Sequence, residues 1–281
     1  MIFSYPAAIL AQSNWILSAN DYIYHALNGM AGQSFVFDRL VGLGLSSNLV
    51  KAAVIGACFM LAWLSGEDAS ITAARRKILL ITLVSSVMVL ATTKTLTKYV
   101  FLPRPYVLSE RSFHLDGRQL VETPRVDFRV PFDDETEKSY RELKQGEIIS
   151  NDLTSFPSDH AGFFFCIALG IFLAYRRIGT IAVLWTIFVP LGAKIILGQH
   201  SPLDIVVGAG IGAGVLLITQ FVAGRWAGRW VDPVVKWTMN NSALSAALLF
   251  IVLFEVTNTL DDVRQVGKVG KDVVKHMIGR Q

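Results

Sequence analysis

Residues 155–175 read SFPSDHAGFFFCIALGIFLAY, and residues 200–222 read HSPLDIVVGAGIGAGVLLITQFV. In each stretch, a histidine and an aspartate stand at the start of an apolar run. A membrane-spanning helix needs about 20 mostly apolar residues, and each run comes close to that length. The apolar runs therefore predict membrane helices. Ionisable side chains in such helices usually serve a function, so His160 and His200 indicate a site where the helices begin.

The composition agrees with a membrane protein. The chain has 281 residues, of which 52% are hydrophobic and 17% charged, whereas a soluble domain has about 25% charged residues. The net charge of +4 does not indicate a nucleic-acid partner, because basic residues in membrane proteins commonly set orientation. The two cysteines lie in apolar runs and form neither a disulfide framework nor a zinc motif. Membrane lipids are thus the expected partners.

We predict an all-α fold: a polytopic membrane bundle of about six transmembrane helices with a long loop on the outer face. Only hydrogen-bonded helices or closed barrels satisfy the backbone in lipid. The six candidate spans are residues 48–65, 78–97, 157–175, 178–198, 203–223 and 242–258. The last is short, and the sequence leaves open whether it crosses the membrane completely.

Basic clusters predict the orientation of the bundle. They follow the first, third and fifth spans, and all three fall on one side if the spans alternate. The clusters contain Arg75, Arg76, Lys77, Arg176, Arg177, Arg225, Arg229 and Lys236. Such clusters favour the cytoplasmic side. Residues 1–38 contain no Lys or Arg, which favours an outer N-terminus and no cleaved signal peptide.

The chain divides into a membrane domain and three less apolar parts. Residues 1–46 are predicted to form interfacial N-terminal segments, and 47–258 to form the membrane domain. A polar outer loop, 104–155, is inserted in that domain, and a loop of this length is usually functional or mobile. Residues 259–281 have the spacing of an amphipathic tail that lies on a membrane surface.

Two helix N-termini are predicted to form an anion site. Ser155 is a plausible cap for the helix that contains Pro157 in its first turn. In the second stretch, Ser201 suits the N-cap, Pro202 the first helical position and Asp204 the third. Helix N-termini carry unpaired N–H groups and partial positive charge, which favour a bound anion.

Three cations are predicted to reach the same side of the bundle. Lys98 and Arg104 lie at the outer end of the second candidate span, and Lys194 lies near the outer end of the fourth. Because guanidinium and ammonium groups bind phosphate oxygens well, phosphate is the expected anion. One imidazole can then attack phosphorus while the other protonates the leaving oxygen. Asp204, four residues after His200, is positioned to fix the tautomer of that ring.

At these positions the sequence resembles the type 2 phosphatidic acid phosphatase superfamily, in its bacterial membrane branch of undecaprenyl-diphosphatase-like enzymes. The second family motif, Pro-Ser-Gly-His, corresponds here to residues 157–160, with Asp159 in place of glycine. The third, Ser-Arg followed by His and Asp, corresponds to Ala193, Lys194, His200 and Asp204. The first, Lys and Arg-Pro separated by six residues, corresponds to Lys98 and residues 104–105 with a shorter spacing, so Lys94 is a rival for the lysine.

The resemblance implies a lipid phosphatase that needs no metal and no cofactor. It implies His200 as the nucleophile and His160 as the general acid. The phosphate-binding residues that it implies are Lys98, Arg104, Ser158, Asp159 and Lys194. The site would face the periplasm of a bacterial inner membrane, and the substrate would be a polyprenyl diphosphate or a phospholipid phosphate.

Two alternatives remain open from the sequence. The same histidine could pass phosphate to a lipid or sugar hydroxyl, which would make the protein a phosphotransferase. The scaffold could also bind or transport an anion without catalysis, since Lys194 is a charged residue inside a predicted span. The lipid substrate and the oligomeric state are not determined by the sequence.

Overall fold

The structure is a computed structural model, and it describes residues 14–97, 99–100, 102, 104–105, 113–116, 119–122 and 154–257. The predicted amphipathic tail, 259–281, lies outside the described residues, as does Lys98. Most of the predicted outer loop also lies outside them. Its described part includes a short antiparallel hairpin of strands β1 (Phe113–Asp116) and β2 (Gln119–Glu122).

The described chain is mainly helical. In chain order the helices are α1 (Asn14–Asn28), α2 (Phe35–Ser46), α3 (Asn48–Leu64), α4 (Ala69–Thr97), α5 (Asp159–Ala174), α6 (Arg176–Thr186), α7 (Gly192–Ile196), α8 (Pro202–Arg225), α9 (Gly228–Asn240) and α10 (Ser242–Thr257). A π-helical turn, Ile187–Leu191, joins α6 to α7. Pro190 lies in this turn, and it has no N–H to donate to a carbonyl of the preceding turn.

Helices occur close to all six predicted spans. Three of them are long and apolar enough to cross a membrane: Ala69–Thr97, Arg176–Ile196 and Pro202–Arg225. Two bent helix pairs would raise the number of candidate spans to five, and Asp159–Ala174 is a shorter apolar helix. These helices fit a polytopic integral membrane protein, which agrees with the predicted fold class. The count of six spans stays a prediction.

The start of α4 differs from the prediction. The basic cluster 75–77 was expected between two spans, but it lies in the second and third turns of a helix that begins at Ala69. Arg76 is buried there, and its guanidinium donates to the carbonyls of Trp63 and Thr238. The helix can therefore begin before the predicted span at residue 78, because these carbonyls satisfy the buried guanidinium.

The centre of the bundle is formed by α4, α5 and α8, which pack closely against one another. Small residues permit this contact. A Cβ added at Gly208 would lie 2.3 Å from the carbonyl oxygen of Ser158, and one at Gly212 would lie 2.2 Å from that of Gly162. Gly210 and Gly214, on the same helix, have nothing within 4 Å of such a Cβ. Glycines four residues apart thus bring α8 onto α5, as expected for packed membrane helices.

A large apolar cluster connects the helices of the bundle. It joins α3, α4, α5 and α6 through buried aromatic and aliphatic side chains. Its fully buried members include Phe59, Ala62, Leu79, Phe163, Ala168 and Ile171. This packing fixes the relative positions of these four helices.

The N-terminal helices pack on the short helix α7 and its neighbours. Asn28 of α1 donates to the carbonyl of Ile196 at 2.8 Å, and Asn20 accepts from the backbone N–H of Leu203 at 2.8 Å. Helix α2 contacts α7 and the π-helical turn, and it meets α3 at an angle of 81°. The segments predicted as interfacial therefore contact the part of the bundle that leads to His200.

Candidate active site

The first helix start differs by three residues from the prediction. Helix α5 begins at Asp159, and Ser158 is its N-cap, with the hydroxyl oxygen accepting from the N–H of Ala161 at 3.3 Å. Ser155, the expected cap, instead donates through its N–H and its hydroxyl to the carbonyl of Leu102, at 2.7 and 3.1 Å. Both serines precede an apolar run, so composition alone does not separate them.

The contact between Leu102 and Ser155 holds the two ends of the polar loop together. Thr154 also lies beside Leu102, whose N–H donates to the threonine hydroxyl at 3.4 Å. As a result, the segment that follows α4 runs next to the segment that precedes α5. Arg104 is thereby brought to the end of the bundle where α5 begins.

The second helix start confirms the prediction. Ser201 is the N-cap of α8, Pro202 follows it, and Asp204 completes a capping box: the Ser201 hydroxyl accepts from the N–H of Asp204, and the Asp204 carboxylate accepts from the N–H of Ser201 at 2.7 Å. The two starts are joined directly, because the N–H of Ser158 donates to the carbonyl of Asp204 at 3.2 Å. Both N-termini therefore lie at one end of the bundle.

His200 lies between α7 and α8 and is 3% exposed. Its Nδ1 is 2.9 Å from the carbonyl oxygen of Ser155. A carbonyl oxygen can only accept a hydrogen bond, so Nδ1 carries the proton in this arrangement. The lone pair of the neutral ring is then on Nε2, which leaves that nitrogen able to act as a nucleophile.

Burial also keeps the His200 ring neutral. Removal from solvent lowers the pKa of His200 to about 4, and the positive charges of Lys194 and Arg104 act in the same direction. The carboxylate of Asp204 opposes this change but is outweighed by the burial of the ring. At neutral pH the imidazole is therefore unprotonated, which is the state that attack on phosphorus requires.

Asp204 is close to His200 but does not make the expected hydrogen bond. Its Oδ2 lies 3.8 Å from Nδ1 of His200, which is beyond hydrogen-bonding distance. The same oxygen accepts from the N–H of Ser201, and Nδ1 of His200 is hydrogen-bonded to the carbonyl of Ser155 instead. Asp204 thus contributes negative charge beside the ring, while the Ser155 carbonyl selects the tautomer.

His160 lies in the first turn of α5 with a carboxylate partner of its own. Its Nδ1 is 2.7 Å from Oδ1 of Asp159, and its backbone N–H donates to the same oxygen at 2.7 Å. Asp159 was expected to help bind phosphate, but here its carboxylate orients the imidazole. The Nδ1 proton is held by the carboxylate, so Nε2 is the atom of His160 that can exchange a proton with a ligand.

Lys194 is the most deeply placed cation of the site. It lies on α7 and is 7% exposed. Its ammonium group makes neither a hydrogen bond nor an ion pair with any residue that the structure describes. Its charge acts on His160 and His200, and it interacts with the charges of Arg104 and Asp159. A buried cation without a matched acid favours an anionic ligand.

Arg104 reaches the same place from the other side. Its Nη1 donates to the side-chain oxygen of Gln199 at 2.6 Å. Its Nε is buried and has no hydrogen-bond partner among the described residues. The guanidinium is thus fixed by one bond and retains donors for a ligand, as a phosphate-binding arginine requires.

The structure gives less support for phosphate binding by Ser158 and by the two candidate lysines of the first motif. Ser158 is fully buried, and its hydroxyl oxygen caps α5, so only the hydroxyl proton remains for a phosphate oxygen. Lys98 lies outside the described residues. Lys94, the rival assignment, is exposed on α4 and has no hydrogen bond or ion pair with a described residue. The choice between these two lysines stays open.

Two elements of this site were not foreseen from the sequence, the Ser155 carbonyl and the Gln199 side chain. Neither carries a sequence signal, because a backbone carbonyl is present at every position and a single glutamine matches no motif.

Comparison with known proteins gives one match. A family model described as the PAP2 superfamily matches residues 76–227, which is more than half of the chain. The matched range contains Arg104, His160, Lys194 and His200. No curated protein and no solved structure matches the chain.

Proposed function

Because the chain belongs to the PAP2 superfamily, we propose that it is a metal-independent membrane lipid phosphatase that works through a phosphohistidine at His200. At the general level, family membership makes the protein a phosphatase-type enzyme, a phosphoric ester hydrolase. The finer proposal adds the residues, the mechanism and the substrates. The substrates are a polyprenyl diphosphate or a phospholipid phosphate, whose lipid chain stays in the bilayer while its head group enters the site.

The observation that carries this proposal is the unmatched charge of Lys194. Its ammonium is buried and has no described acid partner. Arg104 adds a second cation, and among the described residues the carboxylate that acts on Lys194 is that of Asp159, which is already bonded to His160. A phosphoryl group with its negative oxygens would supply the missing charge. The apolar helices around the site favour a lipid as the carrier of that phosphate.

In the first step, Nε2 of His200 attacks phosphorus. The bond from phosphorus to Nε2 forms, and the bond from phosphorus to the leaving oxygen breaks. Protonated His160 gives its Nε2 proton to that oxygen. Lys194 and Arg104 hold the remaining phosphoryl oxygens as charge builds on them. The His200 ring becomes cationic, which the adjacent Asp204 carboxylate stabilises at 3.8 Å.

In the second step, water replaces the imidazole. Neutral His160 takes a proton from the water, whose oxygen bonds to phosphorus as the bond to Nε2 breaks. Inorganic phosphate leaves, His160 is protonated again and His200 is neutral. Each group returns to its starting state, so one lipid phosphate and one water give one dephosphorylated lipid and one phosphate.

The positive charge that this mechanism uses comes from side chains and helix ends. Lys194 and Arg104 compensate the phosphoryl oxygens, and α5 and α8 direct their N-termini to the same end of the bundle. A divalent cation would have to enter beside these two cations. The proposal therefore assigns charge neutralisation to the protein itself. With the predicted orientation of the basic clusters, the site opens to the periplasm.

The test is phosphate release by the purified full chain in detergent with EDTA. Undecaprenyl diphosphate, phosphatidic acid and phosphatidylglycerol phosphate are measured side by side. The variants are His200→Ala and, as a matched control, His25→Ala, because His25 is an exposed histidine on α1. We expect release from at least one lipid, its loss in His200→Ala and its retention in His25→Ala.

Two results would overturn the proposal. Equal activity in His200→Ala and the native chain would exclude His200 as the nucleophile. An activity that EDTA abolishes and that added metal restores would exclude the metal-independent route. Transfer of labelled phosphate to a lipid hydroxyl, without free phosphate, would favour the phosphotransferase instead.

A further inference from the structure

Helix α9 carries three stripes of different chemistry. Residues four and seven positions apart share one face of a helix. The buried stripe consists of Val231, Val235 and Thr238: the first is half-buried, and the other two are 7% and 3% exposed. This stripe packs α9 onto the bundle, chiefly against α4. The two other stripes are exposed, and packing in the bundle does not account for their composition.

The tryptophan stripe consists of Trp230, Val234 and Trp237, and it lies about 100° around the helix from the buried stripe. These side chains are 70%, 48% and 41% exposed. Trp226, at the junction of α8 and α9, is exposed as well. Tryptophan is enriched where a membrane meets water, because its ring is apolar and its N–H is polar. The tryptophan stripe therefore fits the boundary between lipid chains and head groups.

The basic stripe consists of Arg229 and Lys236, which lie about 100° beyond the tryptophan stripe. Both are exposed, and neither makes a hydrogen bond or an ion pair with any residue that the structure describes. The guanidinium of Arg229 lies 5.4 Å from the centre of the Trp230 ring, so the two stripes adjoin. The acid of α9, Asp232, is bonded to Lys77 of α4 at 2.6 Å. The charge of the basic stripe is therefore not compensated within α9.

The bend between α9 and α10 turns α9 away from the direction of the apolar helices. The two axes meet at 114°. The Arg76 guanidinium fixes this corner, since it donates to the carbonyl of Thr238 at 2.6 Å and to the hydroxyl of Ser242 at 3.0 Å. An apolar helix such as α10 aligns with the lipid chains, so α9 lies close to the plane of the membrane surface.

The position of α9 along the bundle separates it from the candidate active site. It follows the C-terminal end of α8, whereas His200 precedes the N-terminal end of that helix. Helix α8 has 24 residues, which corresponds to a length of about 35 Å. A ligand of α9 is therefore distinct from a substrate bound beside His200.

We propose that α9 is a binding surface for anionic phospholipid head groups, in which the tryptophan stripe enters the lipid and the basic stripe binds the head-group phosphates. Interfacial helices gain electrostatic attraction to anionic lipids in this way. A zwitterionic head group has no net charge and would leave both cations uncompensated. A second copy of α9 would not compensate them either, because its acid is bonded to Lys77. The inference does not depend on the phosphatase reaction.

The test measures which lipid lies next to Trp230. The full chain is reconstituted in vesicles of phosphatidylcholine and phosphatidylglycerol, and one lipid at a time carries brominated chains that quench nearby tryptophan fluorescence. The difference between the native chain and Trp230→Phe gives the fluorescence of Trp230. We expect it to report a preference of about fivefold or more for phosphatidylglycerol, the effect of one basic residue near an anionic surface.

Two double variants of equal charge test the basic stripe. Arg229→Gln/Lys236→Gln removes the stripe, and Arg176→Gln/Arg177→Gln removes two exposed arginines at the start of α6. The preference should vanish in the first and persist in the second. Equal quenching by the two lipids in the native chain would overturn the inference, as would a preference that survives in Arg229→Gln/Lys236→Gln. Quenching of Trp230 by neither lipid would mean that protein, such as a second copy, covers the stripe, and would overturn it too.

Thermal unfolding in detergent gives an independent readout, because a ligand of the native state raises Tm. Phosphatidylglycerol should raise the Tm of the native chain more than phosphatidylcholine does. This difference should be smaller in Arg229→Gln/Lys236→Gln than in the control variant. An equal difference in the two double variants would contradict lipid binding by α9.

Discussion

Arg104 and Gln199 are joined by a hydrogen bond of 2.6 Å that links the segment after α4 to the residue before His200. The bond leaves the buried Nε of Arg104 without a partner among the described residues. Gln199 is fixed in turn, because its N–H donates to the carbonyl of Lys194 at 2.8 Å. One glutamine therefore sets the relative position of two cations of the site.

Replacement of Gln199 by leucine should weaken the binding of the substrate phosphate by Arg104. The guanidinium would lose its only described side-chain partner, and hydrogen bonds to charged groups contribute about 1.5–3 kcal/mol. We expect kcat/KM for the preferred lipid to fall by about ten- to one-hundredfold. Steady-state kinetics would show this, with Gln33→Leu as an exposed control. Unchanged kcat/KM would mean that Gln199 does not position Arg104.

Replacement of Gly208 by alanine should separate α8 from α5. The new Cβ would lie 2.3 Å from the Ser158 carbonyl, so the helix starts must move apart and the distance between Asp204 and Ser158 must grow. Overpacking of this kind costs about 1–3 kcal/mol, and we expect activity to fall with Tm. Gly210→Ala, which meets nothing within 4 Å, should keep both. Equal Tm and activity in the two variants would contradict the packing.

The loss of activity on replacing His160, the proposed general acid, should depend on the leaving group of the substrate. An alcohol leaves with difficulty unless it is protonated, whereas a phosphate monoester has a second pKa of about 6 and leaves readily. His160→Gln should therefore lower monophosphate hydrolysis by about 10²–10⁴-fold, the usual range for a general acid. The loss should be clearly smaller for the diphosphate of the same lipid. Equal losses for both substrates would argue against His160 as the acid for the leaving oxygen.

Acid should destabilise the native chain through His200. Burial lowers its pKa from 6.5 to about 4, so between these values the unfolded chain binds more protons than the folded one. Stability therefore falls as the pH decreases from 6.5 to 4, by at most roughly 3 kcal/mol from this residue. Thermal unfolding of the native chain and of His200→Asn across this range measures the contribution. Parallel pH dependence in the two proteins would contradict a neutral buried His200.

The presence of the helices was predicted from the sequence more accurately than the residues at which they begin. Apolar length located the long helices to within a few residues, except at α4, where the guanidinium of Arg76 is satisfied by carbonyls of other helices. Local chemistry also predicted the start of α8, because Ser201, Pro202 and Asp204 occupy positions that only a capping box explains. It failed at α5, where Ser155 and Ser158 both fit the cap and a tertiary contact to Leu102 decided between them.

The site was predictable only where its residues form motifs along the chain. His160, Lys194, His200 and Asp204 were predicted in this way, and the fold brings the ends of their helices together. The hydrogen-bond partner of the His200 ring was not predictable, because the Ser155 carbonyl lies 45 residues earlier in the chain and reaches the ring only through the tertiary fold.

The π-helical turn before α7 acts as a one-residue insertion in an otherwise continuous helix. One residue of an α-helix corresponds to about 100° of rotation. Deleting a residue from Ile187–Leu191 would turn the following segment by that angle and carry the side chain of Lys194 away from His160 on α5. The length of the Ile187–Leu191 turn therefore determines where the Lys194 side chain lies. A one-residue deletion in this turn would affect the site as much as a substitution of Lys194.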